Sequence, residues 1–377
     1  MGFIDADVHG LETGRRTWEY FDPNERHYGP PPTGPWVMEN FVLDPTFPRQ
    51  QLTLPQMEQA PDIKETMERM NSFYPEGARD LSNIPARLKH MDELGVDVQV
   101  CYSNFWLVDG IQDPTREAAL SRSWNRWAAE GTRPSKGRIR WMAHIPWRTQ
   151  QRAFEEMEFA AKNGASGFEF TGYKYEIAPG NPWWYPLYAK AQDLDLCVAF
   201  HLGGNAIQFQ TNPEDYFYRT MSRVPGSFVS IAGQDVPAKF PSLRFGFIES
   251  GCAWVPFALS ALVRANNKAI GRRFGDWRPH AKDYMSRSKL YVAALLDDDI
   301  NYVLPLLGED KLMMGTDYTH LDVGSDPDGL RVTARRTDVD KRVLRKVLDS
   351  NARTFYGIKD DYRPADKAAE LALAGVA

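Results

Sequence analysis

Eight short apolar runs alternate along the chain with segments of helical periodicity. Near-continuous apolar strands that alternate with helices are typical of a parallel sheet covered on both faces. Eight such units predict a TIM (β/α)8 barrel, with an open doubly wound α/β sheet as the alternative. No Gly-x-Gly-x-x-Gly follows the first run and no P-loop is present, which disfavours the nucleotide-binding open sheets. The predicted strands are residues 3–9, 96–102, 138–145, 166–170, 196–201, 244–249, 290–294 and 311–317.

Helices are predicted between these strands, and Gly95 and Gly164 end two of them because glycine readily adopts the conformation that closes a helix. The predicted helices are residues 81–94, 114–130, 150–163, 184–193, a stretch near 213–234, 255–269, 300–307 and 338–350. We expect one domain over residues 1–358 and a separate C-terminal tail over 359–377.

Residues 10–80 interrupt the strand–helix pattern with a long insert rich in proline and aromatic residues. Loops of this length inside a compact domain usually form lids or binding inserts. The aromatic residues either cover an apolar ligand or pack the insert onto the barrel; they are Trp18, Tyr20, Phe21, Trp36 and Phe41. A homodimer that uses the insert or the tail is a further expectation.

The bulk composition excludes several classes of protein. A net charge of -5 without a concentrated Lys/Arg run argues against nucleic-acid binding. No run reaches the roughly 18 apolar residues of a membrane span, and the N-terminus lacks the pattern of a signal peptide. The three cysteines (Cys101, Cys197 and Cys252) lie far apart in apolar runs, as expected for reduced core thiols of a cytoplasmic protein. The expected partner is a small-molecule substrate.

Charged and imidazole side chains end most of the predicted strands, at Asp7, His9, His144, Glu169, His201, Glu249 and Asp317. In a TIM barrel the carboxyl ends of the strands form the active site. An unpaired charge at the end of an apolar run is costly, so each residue needs a partner there. Each one alone is equally compatible with a hydrogen-bonded strand-end residue. Together they indicate a catalytic or metal site.

Six segments follow one another along the chain in a characteristic order. They are Asp7-Val8-His9, residues 91–97 (MDELGVD), Phe200-His201, residues 248–256 (IESGCAWVP), residues 314–320 (MGTDYTH) and residues 350–357 (SNARTFYG). Together they resemble the amidohydrolase-related branch of the amidohydrolase superfamily. This branch includes metal-dependent decarboxylases, hydratases and hydrolases.

The resemblance implies roles for matching positions. Asp7 and His9 take the metal-ligand places of the first strand, and His201 takes the ligand place of the fifth. Asp317 matches the aspartate of the eighth strand, which binds metal or handles the proton of an activated water. Glu249 is a departure, because decarboxylases of this branch generally carry a histidine there within His-Gly-Gly. A hydrolase is therefore favoured over a decarboxylase.

The fourth strand adds Glu169, where binuclear members of the superfamily place a bridging carboxylate. The predicted metal ligands are Asp7, His9, Glu169, His201, Glu249 and Asp317. One divalent ion leaves up to two of the four carboxylates uncompensated, whereas two ions offset all four. Such an oxygen-rich set suits iron or manganese at least as well as zinc. We therefore predict a binuclear site.

The predicted reaction is hydrolysis of an amide, ester, lactone or thioester of a small, bulky or aromatic molecule by a metal-activated water. Asp317 and Glu249 are the principal catalytic candidates, with Glu249 as general base if one ion binds. His144 and His320 are further candidates, although a loop-stabilising role suits His320 equally well.

Three alternatives remain. The enzyme alternatives are a mononuclear decarboxylase and a mononuclear hydratase, both acting on aromatic or unsaturated acids. The third is a barrel that only binds a ligand. Further candidates for holding a substrate carboxylate or phenol are Arg148, Tyr173, Lys174 and Tyr318.

Overall fold

The fold is seen in a computed structural model that describes residues 2–12, 17–29, 72–103, 113–172, 177–203, 221–266, 277–320 and 325–359. Eight parallel strands pair in chain order, each with the next. The last strand returns to the first through a parallel bridge between Val8 and Tyr318. The TIM barrel prediction is confirmed. The strands are β1 (Phe3–His9), β2 (Val96–Tyr102), β3 (Ile139–Ala143), β4 (Ala165–Phe170), β5 (Cys197–Phe200), β6 (Phe245–Phe247), β7 (Leu290–Ala294) and β8 (Leu312–Met314).

Helices surround the barrel, and polar caps mark where several of them begin. The side chain of Asn83 accepts a hydrogen bond from the amide of Ala86, and that of Asp113 accepts one from Thr115. Such caps satisfy amides that have no partner within the helix. The described helices are α1 (Ile84–Glu93), α2 (Pro114–Thr132), α3 (Gln150–Lys162), α4 (Tyr185–Asp193), α5 (Arg223–Gly233), α6 (Val236–Lys239), α7 (Val255–Asn266), α8 (Trp277–Arg287), α9 (Ile300–Leu307), α10 (Gly329–Ala334), α11 (Lys341–Arg345) and α12 (Asn351–Tyr356).

The helix boundaries differ from the predictions mainly near the C-terminus. The sequence pattern did not predict α6, α8 or α10, and the predicted helix 338–350 begins at α11, because Asp340 caps it through the amide of Arg342. A π-helical turn, Lys346–Ser350, joins α11 to α12. The last helical turns therefore extend to Tyr356.

Two apolar cores hold the barrel together. One lies between the strands and the surrounding helices. The other fills the barrel interior, where Phe355 and Tyr356 of α12 pack among inward-facing strand residues. A Cβ atom at Gly246 on β6 would lie 2.3 Å from the Phe355 ring, so only glycine lets this ring approach the strand.

The described part of the chain also bears on two composition-based expectations. All three cysteines are buried and unpaired, as predicted. Among the described helices, none is both long enough and apolar enough to span a membrane. Within the insert, Phe21 is buried in the outer core, whereas residues 30–71, including Trp36 and Phe41, lie outside the described residues, as do 360–377. The predicted role of the insert as a lid stays a prediction.

Candidate metal centre

A first group of buried ligand atoms lies at the carboxyl ends of β1 and β5. It consists of Asp7, His9 and His201, with one ligand atom from each residue within 4.8 Å of the others. His201 Nε2 is 3.1 Å from Asp7 Oδ1, and His9 Nε2 is 3.9 Å from the same oxygen. The parallel arrangement of the strands brings these distant sequence positions to one edge of the barrel.

A second group shares His9 with the first and adds Glu249, Asp317 and His320. Asp317 Oδ1 is 3.1 Å from His9 Nε2, and Asp317 Oδ2 is 3.1 Å from His320 Nδ1. Glu249 Oε1 is 3.5 Å from the same nitrogen of His320. The rings of His9 and His320 stack with centroids 4.3 Å apart. The two groups are therefore adjacent parts of one cluster.

Hydrogen bonds orient both histidines of the first group. His9 Nδ1 lies 2.8 Å from the carbonyl oxygen of Ser103, and His201 Nδ1 lies 2.6 Å from that of Leu202. A carbonyl only accepts, so each Nδ1 donates, which leaves Nε2 as the nitrogen that would bind a cation in place of a proton. Metal-ligating histidines are commonly held in this way.

The donor set fits a divalent cation. His9 Nε2 and Asp317 Oδ1 are buried, and although they are 3.1 Å apart, neither forms a hydrogen bond within the described residues. Metal–ligand bonds of about 2.1 Å place neighbouring ligand atoms roughly 3.0–3.5 Å apart. The 3.1 Å separations in both groups match that spacing. A cation bound to both atoms would offset the cost of burying this imidazole nitrogen and this carboxylate oxygen.

The pKa values of the histidines show where positive charge is stabilised. Burial disfavours the charged form of His201, but the carboxylates of Glu249 and Asp7 outweigh burial and raise its pKa to about 10. Burial likewise opposes the charge of His320, yet Asp317 and Glu249 raise its pKa well above the usual value. Burial, followed by the charge of His320, lowers the pKa of His9. Each group thus favours one positive charge, which a cation would supply.

The backbone is strained at the two carboxylates of the second group. Glu249 has φ of 63° and Asp317 has φ of 53°, in the left-handed region that non-glycine residues rarely adopt. Such residues cost on the order of 1–3 kcal/mol and persist where surrounding contacts determine them. The amide of Asp317 donates to the carbonyl of Asp7 at 2.9 Å, which fixes the turn after β8 on β1.

A carboxylate after β7 fixes the turn that carries Glu249. Asp298 Oδ2 accepts hydrogen bonds from the amides of Cys252 and Leu295, at 2.9 and 2.8 Å. The Asp298 carboxylate also lies so close to Gly251 that a Cβ atom there would be 2.9 Å from it. Asp298 therefore connects the loops after β6 and β7.

Two predicted site residues lie outside both groups. Glu169 is buried at the end of β4, where its Oε1 accepts a hydrogen bond from the Ser103 hydroxyl at 2.5 Å. His144 Nδ1 is 3.0 Å from the hydroxyl of Ser121 on α2, and the amide of His144 donates to the side chain of Asn125. Their predicted roles as ligand and catalytic residue stay predictions.

The candidates for substrate recognition have structural contacts of their own. Arg148 pairs with Glu117 at 3.2 Å. Tyr318 is fully buried, and its hydroxyl lies 2.8 Å from His90 Nδ1. Tyr173 and Lys174 lie outside the described residues.

Besides Asp298, the sequence analysis missed three residues that support the cluster. Ser103 contacts both His9 and Glu169, and Ser325 donates a hydrogen bond to Asp317 Oδ2 at 2.6 Å. Arg87 of α1 is fully buried, and its Nη1 donates to the carbonyl of His9 at 3.1 Å. Arg87 could have been predicted as a buried residue with a partner, because it is a charged residue on the apolar face of a helix. Isolated serines show no such pattern in the sequence.

A family model described as amidohydrolase matches residues 4–358 of the chain. The chain belongs to the amidohydrolase family. This confirms the resemblance and makes the protein an enzyme of the amidohydrolase superfamily.

Solved structures of other amidohydrolase-superfamily proteins share the fold. An amidohydrolase from Mycobacterium avium subsp. paratuberculosis K-10 has a TM-score of 0.70 and 18% identity, over 96% of this chain and 99% of its own. A 5-carboxyvanillate decarboxylase from Novosphingobium aromaticivorans, solved with manganese, has a TM-score of 0.62 and 16% identity over 80% and 86%. A 4-oxalomesaconate hydratase from Rhodopseudomonas palustris has a TM-score of 0.59 and 16% identity over 94% and 95%. At these identities the likeness concerns the fold.

Proposed function

We propose that this protein is a metal-dependent hydrolase that directs an activated water at a carbonyl-type bond, in an amide, ester, lactone or thioester. The main support is the position of Glu249. Its carboxylate lies in the same cluster as His9 and Asp317, and its Oε2 is 3.0 Å from His201 Nδ1. A carboxylate in this place adds a proton acceptor for water, which hydrolysis requires.

The charge of the cluster is compatible with a neutral substrate. Asp7, Glu249 and Asp317 carry three formal negative charges, which one divalent ion and the protonated form of His320 would together offset. A site close to neutral accepts a neutral ester, lactone, thioester or amide.

Asp7, His9 and His201 would hold the first ion, with Asp317 beside them. A divalent ion in such a site acidifies water and polarises a carbonyl oxygen. Although burial opposes its charge, the imidazoles of His320 and His9 lower the pKa of Asp317 and keep it ionised. Ionised Asp317 is thus ready to take the proton of the water and to pass it to the leaving group, and Glu249 would be the alternative acceptor. Iron or manganese suits this carboxylate-rich set, and zinc remains compatible with it.

Decarboxylation or hydration of an aromatic or unsaturated acid is the second candidate. It is supported by the decarboxylase and hydratase among the solved structures with the same fold. In that case Asp317 would act as the proton donor. Release of carbon dioxide separates a decarboxylase from a hydrolase.

The test uses protein loaded separately with manganese, iron and zinc. A panel of aromatic and aliphatic esters, thioesters, lactones and amides is assayed for hydrolysis, and aromatic and unsaturated acids are assayed for carbon dioxide release and hydration. We expect metal-dependent hydrolysis that Glu249→Gln lowers about 10²–10⁴-fold. Glu309→Gln is the matched control, because Glu309 lies before β8 at the opposite end of the barrel and pairs with Lys346. Carbon dioxide release or hydration without hydrolysis would overturn the proposal, as would protein that binds no metal.

A further inference from the structure

We propose that Arg87 is a positioning residue, which holds His9 and the turn that carries Asp317 and His320 in one fixed arrangement. This inference rests on the proposed metal-dependent function, and it concerns a residue that would contact neither metal nor substrate. Arg87 belongs to α1 and is fully buried. Its guanidinium lies between the carboxyl end of β1 and the turn after β8.

The first contact of Arg87 is with the backbone of His9. Its Nη1 donates to the His9 carbonyl at 3.1 Å, and the Thr319 hydroxyl donates to the same oxygen at 3.0 Å. The amide of His9 donates to the carbonyl of Tyr318 at 2.9 Å. The backbone of His9 is therefore held at both its amide and its carbonyl. Because His9 Nε2 lies only 3.1 Å from Asp317 Oδ1, a shift of this backbone would change the separation of the two ligand atoms.

The second contact of Arg87 is with Tyr318, the residue after Asp317. The guanidinium carbon lies 4.8 Å from the centre of the Tyr318 ring, a distance typical of a cation–π contact. His90, one turn further along α1, has its Nδ1 2.8 Å from the Tyr318 hydroxyl. Asp317 and Thr319 have φ of 53° and 83°, so this turn persists only where contacts from outside determine it. Helix α1 supplies two such contacts.

The end of the insert holds the same turn from another side. Arg79 Nη2 donates to the carbonyl of Thr319 at 3.2 Å. The ring of Tyr74 packs edge-on against that of Tyr318, with centroids 4.7 Å apart. Residues 72–80 thus act on the turn together with α1. The insert is therefore connected to the metal centre through its own described end.

The charge of Arg87 indicates that packing alone does not explain it. Within the described residues, no carboxylate forms an ion pair with Arg87. Its hydrogen bonds go to neutral oxygens, which are the carbonyls of His9 and Ala78 and the side chain of Gln99, at 3.1, 3.2 and 2.8 Å. A buried cation without a counter-charge is costly, and an apolar side chain would fill this space at a lower cost. The cost is explained if the hydrogen bond to His9 serves the metal centre.

The experiment titrates metal-free protein with cobalt(II) in competition with a chelator. The visible absorption spectrum of cobalt(II) reports the geometry of its ligands. Arg87→Met is expected to bind cobalt about 10–100-fold more weakly than the wild-type protein and with a shifted absorption band, because residues that orient metal ligands typically have effects of this size. Arg87→Lys keeps a cation that donates to the His9 carbonyl, and it should recover part of the affinity and of the spectrum.

Arg138→Met is the matched control. Arg138 also donates to two backbone carbonyls, those of Val96 and Asp97 at 2.8 and 3.1 Å, but at the opposite end of the barrel. This variant should be less stable in urea unfolding and should bind cobalt with the affinity and spectrum of the wild-type protein. Arg79→Gln is a second test variant, because Arg79 is only half-buried and contacts the turn alone. It should shift the spectrum with a smaller loss of affinity than Arg87→Met.

The positioning role would be overturned if Arg87→Met bound cobalt with the affinity and spectrum of the wild-type protein. A loss of affinity no larger than that of Arg138→Met would overturn it as well, since Arg87 would then serve stability alone. If Arg87→Met does not fold, an unchanged affinity and spectrum in Arg79→Gln has the same meaning. Wild-type protein that binds no cobalt would instead refute the proposed metal-dependent function, and the positioning role would fail with it.

Discussion

Gly315→Ala tests whether the contact between β8 and β1 sets the geometry of the metal centre. Gly315 follows β8 directly, and a Cβ atom there would lie 2.2 Å from Asp7 Cβ, 3.0 Å from its amide nitrogen and 3.1 Å from its Cα. Non-bonded carbon atoms approach to about 3.5 Å, so the end of β8 must move from β1 by about 1.3 Å. Most of these contacts are with backbone or Cβ atoms, which cannot rotate away.

The displacement has a calculable cost. The hydrogen bond from the Asp317 amide to the Asp7 carbonyl, now 2.9 Å, would lengthen to roughly 4 Å and be lost. Loss of this bond costs about 1 kcal/mol and overpacking about 1–3 kcal/mol. We therefore expect the unfolding free energy to fall by about 2–4 kcal/mol. Because Asp7 and Asp317 are moved apart, we also expect bound metal to be lost.

Urea unfolding with and without a chelator, together with metal analysis, measures both effects. Gly164→Ala is the control, because Gly164 has φ of 86° and a Cβ atom there meets nothing within 4 Å. That variant should lose about 1–2 kcal/mol through backbone strain alone and should keep its metal. If Gly315→Ala retains metal and is no less stable than Gly164→Ala, the proposed link between strand packing and ligand geometry is wrong.

Two further predictions concern the turns and the charges of the centre. Asp298→Ala should lower the unfolding free energy by about 1–2 kcal/mol more than Asp299→Ala, and it should also weaken metal retention. The reason is that Asp298 fixes the turn that carries Glu249, whereas Asp299 only caps α9. Equal losses of the two variants in urea unfolding and metal analysis would contradict this. The unfolding free energy of metal-free protein should fall by up to about 5 kcal/mol as the pH rises from 6.5 through 10. The reason is that the pKa of His201 is raised to about 10 in the folded protein, so its protonated form stabilises the fold fully below pH 6.5 and no longer does so above pH 10. Denaturant unfolding at several pH values should show a smaller fall in His201→Asn, and an identical fall would refute the assignment.

The barrel was predictable because its signal is repeated. Each of the eight strands is a short apolar run, so an error in the predicted boundary of one strand does not change the prediction of the other seven. The helices that were missed (α6, α8 and α10) show the limit of this pattern. In α8, Ala281 and Met285 are buried one turn apart among polar and charged residues, so too little apolar surface remains for periodicity to reveal a helix.

The first group of ligands was predictable for a related reason. Asp7, His9 and His201 end apolar strands, and parallel strands of a barrel bring their carboxyl ends to one edge without any knowledge of the loops. His320 differs, because its contacts depend on loop conformation. His320 faces Asp317 only because the turn after β8 passes through left-handed residues, Asp317 and Thr319, with φ of 53° and 83°. The residue types do not predict such a turn, because glycine is the residue expected at positions with positive φ.

The strain at Glu249 and Asp317 therefore bears on function as well as on prediction. Glycine would relieve the left-handed conformation at either position but would remove the carboxylate. The chain keeps both carboxylates and holds them by contacts from the neighbouring loop and strand, through Asp298 and the carbonyl of Asp7. Both strained residues belong to the group with His320, whereas Asp7 and His9 lie in β1 and have no positive φ. The fold thus supplies the first group at little conformational cost, and the second group is the part of the centre for which the chain tolerates strain.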